Sequence, residues 1–326
     1  MKGFITLFFI FYSLILTAST PVMGVFEATS SCPAYLSKNK KTNPDKLFVQ
    51  SGQHYDLVEI NKTNNPDWFR INTGAGDHAL RWVSATCGKA TYDKPSDGCQ
   101  RSPGLADSHV LALSWQPAFC QTYGYESGKP ECLHLPAKSW QASHLVLHGL
   151  WPNQNACGQS YGFCPTNPQA HHCDYPPISL RNDVAEELRV LMPSYAYGSC
   201  LERHEWNKHG SCQILSSDDY FSLALRLTRQ ASETPLGEFL HSHVGQQVTR
   251  TEIQAKIRES FGNDSVRKIY LGCKNGLLVD IFIQLPALIP ASETLQTLVA
   301  KAPELNRYDG CPPNYGISDF NSQDWY

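Results

Sequence analysis

Two imidazoles, a carboxylate and an ammonium fall within the six residues His204-Glu205-Trp206-Asn207-Lys208-His209. Groups of these types can accept a proton, return one and stabilise negative charge near neutral pH. A further imidazole, His148, stands upstream in His144-Leu145-Val146-Leu147-His148-Gly149-Leu150-Trp151-Pro152. Either segment alone has a plainer reading, as a solvated helix end or a satisfied core histidine. Together they make a candidate site of two proton-exchanging rings with charged helpers.

Such a site needs elements that hold it. Residues four apart stack on one face of a helix, so Glu205 sits under His209 and His204 under Lys208. Ser199 with Glu202 fits a capping box, and Gly210 fits the left-handed position past the helix end. His209 then lies in the last turn, where the helix dipole favours imidazolium. The alternating run up to His148 reads as a strand with His144, Val146 and His148 on one face. Gly149 and Pro152 are expected to end it.

These two segments resemble the active-site motifs of the ribonuclease T2 family. His148-Gly149-Leu150-Trp151-Pro152 is similar to the first, and His204 through Lys208-His209-Gly210-Ser211-Cys212 to the second, with Ser211 where many members have Thr. Val110-Leu111-Ala112-Leu113-Ser114-Trp115-Gln116-Pro117-Ala118-Phe119-Cys120 looks like the family's opening strand, and Ser199-Cys200-Leu201-Glu202-Arg203 looks especially like bacterial periplasmic members. The resemblance covers about Asp97 to the C-terminus. It implies an α+β fold, an antiparallel sheet packed with helices, and an endoribonuclease acting on single-stranded RNA without a metal or other cofactor. The family roles would make His209 the base, His148 the acid, Glu205 and Lys208 electrostatic stabilisers, and His204 a phosphate contact. It also implies the disulfides Cys120–Cys132, Cys164–Cys200, Cys173–Cys212 and Cys273–Cys311, which leaves Cys99 with Cys157.

The chemistry of RNA cleavage fits these side chains. The 2′-hydroxyl must lose a proton as it attacks phosphorus, and the departing 5′-oxygen must gain one. Two histidines can supply both protonation states at mildly acidic pH. The product would be a 2′,3′-cyclic phosphate, hydrolysed more slowly to a 3′-phosphate. DNA lacks the attacking hydroxyl. For base recognition the candidates are Trp151 and Tyr161 as stacking platforms, each with plain core as the alternative. Some family members have Asp after the Trp-Pro pair and use it for base contact. Here that residue is Asn153, whose amide both donates and accepts.

The chain of 326 residues begins with Lys2 and an apolar run from Phe4 to Leu16. That reads as a secretory signal peptide over residues 1–24, leaving no membrane span after cleavage. An even count of 12 cysteines agrees with export to a secreted or periplasmic location and reads as disulfides. Zinc is the competing use, with Cys157, Cys164 and Cys173 near His171-His172. However, no C-x-x-C pair exists, and His204 and His209 are five apart rather than four. With Lys2 removed the chain carries about −4 at pH 7, which is not the field of a general nucleic-acid binder, and protonating all 12 histidines would bring it to about +8. Attraction to RNA phosphates would therefore rise with acidity.

From Cys32 to about Ala90, short alternating strands are expected at Leu47–Val49, Tyr55–Ile60, Trp68–Ile71 and Leu80–Val83. They suggest a small β-barrel similar to bacterial SH3-like modules, bridged by Cys32 and Cys87. Residues 25–96 would be this module and its linker, Thr91 to Ser96. A cell-wall or protein ligand is one use for it, and a stabilising appendage the other. Residues 97–326 would be the catalytic domain, of a protein expected to be monomeric. Its helices are expected at 178–192, 217–230, 235–243 and 250–261, with a hairpin turning at Asn275-Gly276. A binding protein with an idle nuclease fold is the main rival, but such a scaffold would need none of His148, His204, Glu205, Lys208 and His209.

Overall fold

The computed structural model describes residues 19–74, 79–93, 99–158, 160–305 and 310–320. Residues 1–18 of the expected signal peptide and the expected boundary at Asp97 lie outside the described residues. In the N-terminal unit, strands β1 (Thr20–Ala28), β4 (His54–Ile60), β5 (Trp68–Asn72), β6 (Leu80–Ser84) and β7 (Gly88–Asp93) form an antiparallel sheet in the order β6-β5-β4-β1-β7. The short strands β2 (Cys32–Pro33) and β3 (Phe48–Val49) pair beside it. Alternation sends one set of side chains inward, and Val22, Phe26, Val49, Leu57, Ile60, Phe69, Ile71 and Val83 form the core. Cys32 and Cys87 are bonded as expected.

Two boundaries move. The first strand starts at Thr20, pairs Thr20 with Ile60 and Pro21 with Glu59, and buries Val22 completely. It therefore runs through the expected cleavage point after Gly24. Gly24 lies in mid-strand, where a Cβ would come within 2.2 Å of the Thr91 carbonyl oxygen. Thr91 to Asp93 are hydrogen-bonded strand rather than linker, because β7 extends along β1 as far as Met23.

The second unit is α+β. Its strands are β8 (Ser108–Ser114), β9 (Val146–Asn153), β10 (Gln246–Thr249), β11 (Ile269–Lys274), β12 (Leu277–Pro286) and β13 (Asn314–Ile317), in the order β10-β13-β12-β8-β9 with β11 also on β12. Its helices are α1 (Gln116–Phe119), α2 (Pro130–Leu133), α3 (Asn182–Leu191), α4 (Pro193–Tyr197), α5 (Leu201–Lys208), α6 (Ser217–Ser232), α7 (Pro235–Ser242), α8 (Arg250–Phe261) and α9 (Leu295–Lys301). Strand β8 is buried along its whole length, as a central strand covered on both faces must be. Val184, Leu188 and Leu191 of α3 and Phe221, Ala224 and Leu225 of α6 pack into one core with β8, β9 and β12. The hairpin turns at Asn275 and Gly276, both at positive φ (52° and 74°), as its two-residue loop requires.

The units meet at a polar contact. Tyr270 of β11 donates its hydroxyl proton to the carboxylate of Asp56 on β4, and both residues are buried. The N-terminal unit thus meets the β11 edge of the second unit's sheet.

The disulfides Cys120–Cys132 and Cys273–Cys311 are as the resemblance implies, and Cys99–Cys157 is the pair that was left over. The other two are exchanged: Cys164 bonds Cys212, and Cys173 bonds Cys200. The cause is where the 153–177 loop lies along α5. Phe163 donates its amide to the carbonyl of Lys208 at 2.8 Å, which brings Cys164 to the C-terminal end of that helix. Arg203 donates to the carbonyls of Cys173 and Tyr175, which brings Cys173 to the N-terminal end. Each bond joins the cysteines that the chain has already made neighbours.

Candidate active site

His148 owes its position to an irregularity in β9. Ala112 pairs with Gly149 and Leu113 with Leu147, so His148 has no partner on β8 and forms a bulge. A bulge twists the strand and re-aims the extra residue. Val146 and Leu147 are buried while the His148 side chain keeps 34% exposure. The expected shared face of His144, Val146 and His148 is therefore not formed. His144 precedes the strand and stacks instead between Trp140 and His241, at 3.9 and 4.3 Å. Nor do Gly149 and Pro152 end the strand, which continues to Asn153.

Register brings a residue to His148 that spacing could not reveal. Strand β12 pairs Asp280 with Ser114 of β8. Asp280 accepts a hydrogen bond from Ser114 Oγ at 2.6 Å, and its Oδ1 lies 3.7 Å from His148 Nδ1. One signal did exist. Asp280 is the one polar residue in the otherwise apolar run Leu277 to Ile283, and an acid in such a strand needs a partner.

The second half of the site comes from α5. Its start is not the expected capping box: Ser199 Oγ bonds the Glu131 carboxylate at 2.8 Å, and Cys200 takes the left-handed conformation at φ 64°. Its end is also different, because Gly210 begins a 3-10 turn against Trp206, where a Cβ would come within 2.3 Å of the indole. Close packing rather than a left-handed φ is what requires glycine there. Glu205, 2% exposed, accepts the Trp151 Nε1–H at 2.7 Å. Gly149 makes that approach possible, since a Cβ on it would fall 1.9 Å from Glu205 Oε2.

Trp151 links the two halves. Its ring meets His148 edge-on (5.2 Å, 84°) and stacks on His209 (5.2 Å, 24°), with Phe282 at 5.6 Å. It stands as a partition between the two imidazoles, one on its face and one at its edge. Tyr161 is not a platform. It is 3% exposed, donates its hydroxyl proton to the Ser102 carbonyl at 2.8 Å and packs among Cys157, Cys164 and Cys212. Asn153 ends β9 opposite Ser108, its carbonyl accepting from the Asp107 amide at 2.7 Å. A more exposed aromatic is Tyr123, 45% exposed with Lys274 Nζ 3.8 Å from its ring centroid.

Burial and neighbouring charge separate the two rings in proton affinity. Burial opposes protonation of His148, but the Asp280 carboxylate and the charge of Glu205 outweigh it and raise its pKa above 6.5. Burial, reinforced by Lys208, His204 and His148, holds His209 well below 6.5. His204, desolvated and facing His172, Lys208 and His148, is pushed down to about 4. It is a neutral hydrogen-bonding ring at mildly acidic pH, not a cation. Burial raises the Glu205 carboxyl. The cysteines weighed as zinc ligands, Cys157, Cys164 and Cys173, are all in disulfides and have no thiolate to offer.

The chain is similar to known proteins. The model of the ribonuclease T2 family matches residues 106–289. Ribonuclease I of Escherichia coli is 31% identical over 205 residues, covering 56% of this chain and 76% of that protein. A ribonuclease of Aeromonas hydrophila is 32% identical over 139 residues, covering 40% of this chain and 49% of its own length. Among solved structures, the self-incompatibility-associated SF11-RNase of Nicotiana alata aligns over 58% of this chain and 94% of its own, at 20% identity and a TM-score of 0.40.

Proposed function

This chain belongs to the ribonuclease T2 family of endoribonucleases, and we propose that it cleaves single-stranded RNA by metal-independent transphosphorylation at the site of His148 and His209. His209 takes the 2′-hydroxyl proton as the 2′-oxygen attacks phosphorus. The bond to the 5′-oxygen breaks, and that oxygen receives a proton from His148. One fragment leaves with a 2′,3′-cyclic phosphate and the other with a 5′-hydroxyl. Water then opens the cyclic phosphate to a 3′-phosphate. Lys208 and Glu205 stabilise the charge that builds on the phosphoryl oxygens. A carboxyl with raised proton affinity can approach such oxygens with less repulsion than an ordinary carboxylate. His204 contributes a neutral N–H to the phosphate.

The observation that carries this assignment is the opposite displacement of the two rings. A general base must be unprotonated and a general acid protonated at the same pH, and sites that push two titratable groups apart in this way separate the roles. His209 is depressed and His148 is raised. The test is digestion of RNA at pH 5–6 in EDTA with end-group analysis. Cyclic phosphate and 5′-hydroxyl ends are the expected products, while inhibition by the chelator or 5′-phosphate ends would overturn the proposal.

Asp280 is a positioning residue for His148. Its carboxylate favours the imidazolium, so the alkaline limb of the kcat/KM profile, set by loss of the His148 proton, stands at higher pH with Asp280 than without it. Asp280→Asn keeps the shape and removes the charge. The alkaline limb is expected to move to lower pH while the acid limb, which belongs to His209, stays in place. An unmoved alkaline limb would remove Asp280 from this role.

Export to the periplasm or beyond belongs to the same reading. Six disulfides among the described residues support it, as does similarity to the extracellular ribonuclease LE of Solanum lycopersicum, 30% identical over 128 residues. No helix among the described residues is long and apolar enough to cross a membrane. Leader cleavage ahead of Thr20 would keep β1 whole. The short antiparallel strands of the N-terminal unit, with a 3-10 turn at Ala85–Cys87 between β6 and β7, support an SH3-like module ahead of the catalytic domain.

A further inference from the structure

Cleavage at one phosphodiester needs hydrogen-bonding and basic groups around one phosphate, yet the imidazoles extend past it. His204 lies 6.5 Å from His209, and on its far side His172 stacks against it at 4.4 Å and 27°. His172 belongs to the 3-10 turn His172–Asp174 of the long loop after β9. The turn is fixed in place: Cys173 is bonded to Cys200 at the start of α5, and Arg203 grips the carbonyls on either side of Asp174. The nearest acid on this turn, Asp174, is engaged in accepting the His171 amide at 3.1 Å. Lys129, His148 and Lys208 act on the half-buried His172 ring and, with burial, oppose its protonation. A rigid imidazole set beside cations is a place where an anion gains from each group at once.

We infer that His172, with Lys129 at the head of α2, forms a second phosphate subsite that holds the RNA phosphate next to the scissile one. This rests on the ribonuclease reading above and adds to it the length of strand the enzyme grips. Lys208 and His148 act at the scissile phosphate, His204 stands between, and His172 with Lys129 receives the neighbouring phosphate. Substrates with two phosphates are therefore gripped more tightly than those with one.

The test compares a dinucleoside monophosphate with the same compound carrying an additional 5′- or 3′-phosphate. Wild-type enzyme is expected to show a lower KM for one of the two extended compounds, by about tenfold for one charge-assisted contact. His172→Ala should collapse that preference through KM rather than kcat, and His172→Phe, which keeps a ring against His204, should collapse it equally. Full preference in His172→Phe would mean that the ring only packs, and would overturn the inference. So would wild-type enzyme that treats all three compounds alike. Binding of a nucleoside 3′,5′-bisphosphate against the 3′-monophosphate gives the same contrast without turnover, so failure to cleave RNA and failure of the subsite are read separately.

Discussion

His209→Ala and His148→Ala are each expected to slow cleavage of RNA by about 10²–10⁴-fold, the usual worth of a positioned proton transfer. Both rings touch Trp151, one by its face and one by its edge, so each loss also frees one side of the indole. Near-UV circular dichroism should therefore accompany the kinetics to establish that the fold survives. A substrate with an activated leaving group separates the two roles. An aryl ester of a nucleoside 3′-phosphate expels an oxyanion that needs no proton, so His148→Ala should recover most of its rate on that ester. His209→Ala should not, because the 2′-hydroxyl must still be deprotonated. Recovery in the opposite variant would exchange the two roles, and wild-type rates on RNA in either variant would remove that ring from catalysis.

Gly149→Ala should be nearly as damaging, although it removes no functional group. The added methyl would sit 1.9 Å from Glu205 Oε2 and 2.5 Å from Trp151 Nε1, between the partners of a buried 2.7 Å hydrogen bond. Neither side chain is the far end of a mobile surface residue. Overpacking of this kind typically costs about 1–3 kcal/mol, and a carboxyl separated from its donor loses more. The expected result is a lowered Tm together with a large fall in kcat, since Glu205, Trp151 and His148 are displaced together. Glu205→Gln, which retains an acceptor for the indole, should keep the Tm better than Gly149→Ala. A Gly149→Ala protein with wild-type Tm and rate would mean that the close approach is not needed.

Gly149 illustrates what can and cannot be read from the chain. Its presence in the motif is plain in the sequence, and there it looks like a strand terminator. The structure makes it the gap through which a helix carboxyl reaches a strand indole. The hairpin turn at Asn275-Gly276 was readable because its cause is local: two adjacent residues must tolerate positive φ. The start of α5 departs from its local signal because Ser199 has a better partner, Glu131, far away in sequence, and its end does so because Gly210 packs against Trp206. Tyr161 has the residue type of a base platform, because aromatic residues near a site do stack on bases, but its ring is buried and its hydroxyl is engaged within the protein.

By itself the sequence determined which reactive groups are available, the helix and strand that carry them, the family, and the local turns. Those follow from residue type and from spacing over a few positions. Only the tertiary structure decided that His148 stands in a bulge beside Asp280, that Cys164 belongs with Cys212, and that one imidazole holds its proton where the other releases it. Proton affinity depends on burial and on charges a few ångströms away, and here those charges come from β12, α5 and β9, whose proximity is set by packing.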